Sequence, residues 1–206
     1  LFLDSTQQAF NFQKQLVETY IKSYAANTYA HASKALSIVI IGAGATGVEL
    51  AAELHEVTHL LAVYGLEGAG QVSITIIEAA QQLLPALPQK LAQQTYNQLE
   101  KLGIDLKLGL RVIEVTETHV KTHDGQIIPA DLKVWAAGIK GPDWLKDLHG
   151  LTTNKINQLI VDQYLCTNDP SIFAIGDCAA CAWPGKPDGT NIPPRAQAAH
   201  QQASTL

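Results

Sequence analysis

The sequence is poor in charge and in cysteine. Charged residues make up 16% of the 206 residues and hydrophobic residues 47%, whereas a typical globular domain is about 25% charged. This composition excludes an intrinsically disordered chain, because such chains are rich in charge and poor in apolar residues. Three cysteines are too few for a dense disulfide framework and are typical of a reducing compartment.

Long apolar runs and basic stripes are also absent. The longest apolar run, residues 37–48, is interrupted by glycines and is shorter than the roughly 18 residues of a membrane-spanning helix. A net charge of −5 without a Lys/Arg stripe argues against nucleic-acid binding. Methionine is absent and the first residue is Leu1, so we expect the sequence to be a piece of a longer chain.

The apolar periodicity predicts an α/β protein in which helices and strands alternate. A continuously apolar run, which is typical of a strand buried on both faces of a parallel sheet, predicts a strand over 37–41, and further strands are expected over 72–77 and 104–108. Helices are expected over 5–29, 48–62, 89–102 and from 194 to the end, with a loop over 64–71. Short alternating runs predict an antiparallel meander from 112–115, 119–122, 126–128 and 132–135, with Asp124-Gly125 as a hairpin turn.

The last third of the sequence carries few such patterns. Only 159–161 and 172–175 are predicted to be strands there. We therefore expect this third to contain too little regular secondary structure to form a hydrophobic core of its own.

A GxGxxG motif lies between the first predicted strand and the following helix. Gly42 permits the tight turn, Gly44 lets a pyrophosphate approach the backbone, and Gly47 lets the helix pack close to the strand. The phosphates would then lie on free N–H groups at the helix N-terminus, with Thr46 in the same turn. A tight strand-to-helix turn without any ligand is the alternative.

Glu78 ends the second predicted strand, where an acid hydrogen-bonds the adenine ribose in dinucleotide-binding folds. Residues 79–82 contain no Arg or Lys that could bind the extra phosphate of NADP(H). The motif therefore favours NAD(H), although a solvated acid at a strand end would look the same. Glu49 lies just inside the helix, where the helix dipole alone would stabilise a carboxylate.

Three later segments are VWAAG at 134–138, TNDPSIFAIGD at 167–177 and PPRAQAAHQQA at 193–203. Together with the glycine motif, and in this order, they resemble the two-dinucleotide-binding-domain flavoproteins of the pyridine nucleotide-disulfide oxidoreductase superfamily. Among these, the sequence is most similar to the type II (non-proton-pumping) NADH:quinone dehydrogenases. The resemblance spans nearly the whole sequence.

The resemblance implies roles for residues outside the glycine motif. Ala137 and Gly138 would line the approach to the nicotinamide, and Glu49 would be the acid near the nicotinamide–flavin contact. Gly176 and Asp177 would belong to the second FAD motif, with Asp177 on the ribityl hydroxyls. The Ala196-Gln197 pair would lie beside the flavin ring, and Gln197 and Gln201 would face the quinone pocket.

The resemblance also implies a domain organisation. Residues 1–36 would be a linking helix from the FAD domain, 37–138 a Rossmann-like NAD(H)-binding domain with the meander, and 139–206 the C-terminal part of an incomplete FAD-binding domain. A second GxGxxG is missing from the sequence, so we expect this chain alone to bind NADH and to catalyse nothing.

The implied function is hydride transfer from NADH to FAD, followed by electron transfer to a quinone. The parent enzyme would be a homo-oligomer attached peripherally to the cytoplasmic face of the inner membrane. Two alternatives remain open. The protein could be a flavin reductase for a ferredoxin or rubredoxin, or it could be a non-catalytic NAD-binding module.

Cys178 and Cys181 form a CxxC motif. One such pair without further ligands makes a poor zinc site, so we expect the pair to be structural or incidental and predict no metal site. His55 and His59 are four apart on a predicted helix, a spacing that can bind metal, but no third ligand is apparent.

Overall fold

The computed structural model describes residues 1–3, 5–30, 35–63, 72–85, 87–187 and 189–206. Side chains are described over the same ranges except at 27–30, 59 and 61–63. The chain divides into two compact units, Leu1–Gly138 and Ile139–Leu206. The predicted loop over 64–71 and the side chain of His59 lie outside the described residues.

The first unit is built on a parallel sheet. Its four strands are β1 (Leu36–Ile41), β2 (Val72–Glu78), β3 (Asp105–Leu108) and β7 (Leu132–Trp135), in the order β3-β2-β1-β7. Its helices are α1 (Thr6–Ala30), α2 (Ala45–Val63) and α3 (Gln89–Lys101). The predicted α/β architecture, a parallel sheet with helices and an antiparallel meander, is confirmed.

Both faces of the central strand are covered. Successive side chains of a strand point to opposite faces, and Ile38, Val39 and Ile40 are all fully buried. Ile38 and Ile40 belong to one hydrophobic core, which includes Phe12 of α1, whereas Val39 belongs to a second core. This double burial explains why β1 is an uninterrupted run of apolar, mostly β-branched residues.

The antiparallel meander covers the second core. It consists of β4 (Val112–Val115), β5 (His119–Thr122) and β6 (Ile127–Pro129). Val120 and Ile128 pack against Val39 of the sheet. Gly125 has a φ of +89°, in agreement with the predicted hairpin turn at this position.

The assignment of residues 132–135 to the meander was wrong. These residues form β7, which pairs in parallel with β1. The Asp131 carboxylate accepts a hydrogen bond from the Ser37 N–H at 2.9 Å, and the Asp131 N–H donates to the Ser37 carbonyl at 2.8 Å. This double contact directs the chain from the meander back to the edge of β1.

The second unit has a small core of its own, which contradicts the expectation from its sequence. The strands β8 (Leu159–Val161) and β9 (Ala179–Cys181) pair in parallel, and the unit ends with α4 (Ala196–Ala203). Eight buried residues form the core: Leu145, Leu151, Leu159, Val161, Leu165, Ala174, Ala179 and Cys181. Connections that are irregular but hydrogen-bonded bring these residues together.

The predicted strand over 172–175 was also wrong. Only Phe173 forms an isolated bridge there, to Cys166. Ile172 and Phe173 are exposed, Phe173 by 48%, so this apolar run is not a buried strand. The strand that the sequence did not predict, β9, is made of small residues without the β-branched pattern.

Candidate functional site

The glycine turn lies at the carboxyl end of β1, in the middle of the parallel sheet. The Gly42 N–H donates to the Ile77 carbonyl at 2.8 Å. Gly42 has a φ of +110°, and a Cβ there would lie 2.6 Å from the backbone N and Cα of Ala137. Only glycine fits such a position, because the backbone of the neighbouring strand end occupies the space.

Gly47 lies inside the first turns of α2. A Cβ at Gly47 would lie 2.0 Å from the Gly42 carbonyl oxygen. The missing side chain therefore lets the helix backbone approach the turn, as the motif predicts.

Gly44 differs from both, because a Cβ there would meet no atom within 4 Å. The space above its backbone is open. The first hydrogen bond of α2 runs from the Val48 N–H to the Gly44 carbonyl at 3.1 Å, so the amides of residues 45–47 precede the helical hydrogen-bond ladder. Open space at the N-terminus of a 19-residue helix fits an anionic group such as a diphosphate.

Glu78 braces the glycine turn. One carboxylate oxygen accepts the Ala43 N–H at 2.7 Å, and the other accepts the Ala80 N–H at 2.8 Å. A carboxylate has about four acceptor positions, so two remain open to a donor such as a ribose hydroxyl, and the ribose contact itself stays a prediction. The bracing role was not apparent from the sequence, because it depends on how the ends of β1 and β2 come together.

Leu84 makes a second contact that holds the glycine turn, and the sequence did not indicate it. Its N–H donates to the Ala43 carbonyl at 2.8 Å, and its backbone has a φ of +47°. Ala43 itself is fully buried. Both polar groups of the Ala43 backbone are therefore satisfied, the N–H by Glu78 at the end of β2 and the carbonyl by Leu84 beyond it.

The remaining predicted residues of the first unit lie near the same edge or on α2. Ala137 contacts Gly42, and the N–H of Ala136 donates to the Ile41 carbonyl at 2.8 Å. Gly138 follows with a φ of +73° and open space at its Cβ position. Thr46 and Glu49 are exposed on the first turns of α2.

The second unit brings its predicted residues together around α4. Gly176 has a φ of +71°, and its N–H donates to the Gln202 Oε1 at 2.8 Å. A Cβ at Gly176 would lie 3.4 Å from the Cβ of Ala199. Asp177, in the same turn, is exposed and makes no hydrogen bond through its carboxylate to the described residues. The Gly-Asp turn therefore packs on α4.

Ala196 and Gln197 begin α4, and Gln201 lies one turn further on. All three side chains are exposed. Gln201 lines a cavity of about 220 Å³ in the second unit, together with Leu165, Cys181 and Ile192, whereas Gln197 is not among its lining residues. The predicted glutamine pair therefore shares a helix, but only Gln201 lines this cavity.

The CxxC cysteines are held as thiols. The Cys178 Sγ–H donates to the Ile175 carbonyl at 3.2 Å, and the Cys181 Sγ lies 3.6 Å from the Asp162 carbonyl. Burial raises the pKa of the Cys181 thiol, with the negative charge of Asp162 as a smaller cause. The thiolate is the form that attacks disulfides and binds metals, so a raised pKa opposes both roles. Within the described parts of the chain, no cluster of His, Cys, Asp and Glu could hold a metal ion.

Cys181 should therefore alkylate slowly. In the folded chain at pH 8, we expect iodoacetamide to react several-fold more slowly with Cys181 than with Cys178, because Cys181 is buried whereas Cys178 is partly accessible, and burial also raises the pKa of the Cys181 thiol. Mass spectrometry of timed samples measures both rates, and a sample unfolded in urea, in which the two should react alike, is the control. Equal rates in the folded chain would contradict the structural role.

Membrane crossing by a helix is not indicated: none of the helices in the described ranges is long and apolar enough to span a bilayer.

Several known proteins are similar to this chain in sequence or in fold. The type II NADH:quinone oxidoreductase of Haemophilus influenzae is 39% identical over 98% of this chain, and the chain spans 48% of that protein. NDH2 from Plasmodium falciparum, solved in complex with NADH, shares the fold with a TM-score of 0.73 at 24% identity, over 87% of this chain and 39% of that one.

A ferredoxin reductase from Rhodopseudomonas palustris is also similar. It is 29% identical with a TM-score of 0.57, over 71% of this chain and 34% of that one. Residues 6–203 match the model of the pyridine nucleotide-disulphide oxidoreductases. Together with the parallel sheet and the glycine turn, this match over almost the whole length shows that the chain belongs to the pyridine nucleotide-disulphide oxidoreductase family.

Proposed function

We propose that the chain is the NADH-binding portion of a flavin-dependent NADH dehydrogenase that passes electrons to a quinone. The observation that carries the proposal is the open, glycine-lined space at the N-terminus of α2, beside Gly44 and Glu78. The similarity to the Haemophilus influenzae NADH:quinone oxidoreductase supports the choice of donor and acceptor.

The first unit binds NADH. Backbone amides of residues 45–47 donate to its diphosphate, and the free acceptor positions of Glu78 take the hydroxyls of the adenine ribose. The Glu78 carboxylate would repel the 2′-phosphate of NADPH, so the site prefers NADH. Ala137 and Gly138 present backbone without bulky side chains to the nicotinamide, and Glu49 supplies a carboxylate on α2 near it.

The second unit supplies residues for the flavin and the quinone. Gly176 and Asp177 would hold FAD through the ribityl hydroxyls, and Ala196 and Gln197 would lie beside the flavin ring. Bound FAD would supply the two-electron redox chemistry that links NADH to the quinone. Gln197 and Gln201 donate hydrogen bonds from their side-chain amides to the quinone carbonyl oxygens. The exposed Asp177 carboxylate and the left-handed backbone of Gly176 fit a role in binding the ribityl hydroxyls of FAD.

The whole protein would act at a membrane surface. We propose that it is a homo-oligomer and attaches peripherally to the cytoplasmic face of the inner membrane, because its electron acceptor is dissolved in the bilayer.

The second candidate function is electron delivery to a small iron–sulfur protein. The similarity to the Rhodopseudomonas palustris ferredoxin reductase favours it. A third, the non-catalytic NAD-binding module, would need only the first unit.

Steady-state NADH oxidation by the full-length protein, with its flavin, distinguishes the three. We expect NADH to bleach the flavin absorbance and a short-chain quinone to restore it. In that protein, Gln201→Ala should slow quinone reduction about tenfold, the effect of one lost hydrogen bond, without slowing the bleaching. Turnover only with an acidic ferredoxin would favour the second candidate. Binding of NADH without bleaching would favour the third.

A further inference from the structure

We propose that Gln158 and Gln202 are positioning residues that set the backbone of the Gly176–Asp177 turn for its ligand. The proposal rests on the proposed function, in which this turn holds FAD. Both glutamines are nearly inaccessible, at 5% and 9% exposure. Burying a polar amide is costly unless its hydrogen bonds are made, so their partners define their role.

Gln202 holds the turn from the side of α4. Its Oε1 accepts the Gly176 N–H at 2.8 Å. A backbone N–H can only donate, so the amide of Gln202 can have only one orientation in this contact. Position 202 therefore requires an acceptor.

Gln158 holds the turn from the side of β8, and its orientation is also determined. The Asn154 Oδ1 accepts the backbone N–H groups of Ile156 and Gln158, both at 3.0 Å. The Asn154 Nδ2 must then donate to the Gln158 Oε1, at 2.9 Å. The Gln158 Nε2 consequently donates to the Asp177 carbonyl, at 2.8 Å. Position 158 therefore requires a donor.

The two contacts hold two consecutive residues of the turn, and they come from different elements of the second unit. One fixes the N–H of Gly176 and the other fixes the carbonyl of Asp177, while the Asp177 side chain stays exposed. The backbone between them includes the left-handed Gly176 at φ +71°. Setting this conformation before the ligand arrives lowers the ordering cost of binding.

The two positions should respond oppositely to the same substitution. Gln202→Glu keeps an acceptor of the same size and shape, whereas Gln158→Glu replaces the donor with an oxygen that faces the Asp177 carbonyl. A role in filling volume alone would treat both substitutions alike. The comparison therefore separates positioning of the turn from general packing.

The experiment is amide hydrogen exchange and carbonyl chemical shift, measured by NMR on the labelled 206-residue chain. We expect Gly176 exchange to be about tenfold faster in Gln202→Leu, the effect of one lost hydrogen bond, and unchanged or slower in Gln202→Glu. Gln158→Glu should shift the Asp177 carbonyl resonance and speed Gly176 exchange. The exposed neighbours Gln201→Glu and Gln163→Glu should change neither.

Unchanged Gly176 exchange in Gln202→Leu, or a Gln158→Glu variant that behaves like Gln202→Glu, would overturn the proposal. Should Gln202→Leu fail to fold, the two Glu variants still carry the comparison, since both preserve the side-chain shape. In the full-length protein, Gln158→Glu should also lower the flavin retained per chain more than Gln202→Glu does. The expected NMR result with equal flavin retention would uphold the positioning and contradict the assignment of the turn to FAD.

Discussion

Gly47→Ala is expected to destabilise the chain by about 3 kcal/mol, the upper end of the usual cost of overpacking. The new Cβ would lie 2.0 Å from the Gly42 carbonyl oxygen. Relief requires a shift of either the α2 backbone or the turn, and the turn is held by the Gly42–Ile77 hydrogen bond. Urea unfolding should show a lower midpoint with an unchanged slope.

Gly44→Ala is the matched control for this experiment. Its Cβ would meet no atom within 4 Å, and Gly44 does not lie in the left-handed region. We therefore expect its free energy of unfolding to stay within about 0.5 kcal/mol of the parent chain. If Gly44→Ala and Gly47→Ala lost equal stability, the close approach of α2 to the turn would be wrong.

Glu78→Gln is expected to cost about 2 kcal/mol. Both carboxylate oxygens accept backbone N–H groups, from Ala43 and Ala80, and a neutral amide can accept only one of them. The other N–H would face an NH₂ group, and a hydrogen bond to a charged group contributes about 1.5–3 kcal/mol. The same urea unfolding experiment measures the loss.

Glu53→Gln on α2 is the control for Glu78→Gln. Glu53 is exposed, so this substitution makes the same chemical change at the surface. We expect its effect to stay within about 0.5 kcal/mol. Equal losses for the two variants would mean that Glu78 does not brace the turn.

Local patterns predicted the parts of the fold that depend on neighbours in sequence. The continuous apolar run of β1, the glycine spacing after it and the Asp124-Gly125 hairpin each act within a few residues. Buried parallel strands are apolar on both faces, so β1 and β2 could be recognised without knowing their partners. The glycine turn and Glu78 then came together because parallel strands end at one edge.

Patterns in the sequence could not predict features that depend on distant partners. The run 132–135 alternates as a meander strand would, yet it pairs with β1 across nearly a hundred residues of chain. Gln158 and Gln202 look like surface glutamines in sequence, and only the folded second unit buries them. The strand β9 consists of small residues, whose pairing with β8 is decided by burial in the second core.

The central claim is that the amides at the N-terminus of α2 bind the diphosphate of NADH while Glu78 selects the sugar. Titration of the ¹⁵N-labelled chain with NADH tests it directly. The account predicts saturable shifts at residues 44–47 and at Glu78, weaker binding of NADPH, and at least about tenfold weaker NADH binding by the stable variant Gly44→Ala, in which a methyl group fills the open space. Unmoved resonances at 44–47, or a Gly44→Ala variant that binds NADH as tightly as the parent chain, would contradict it.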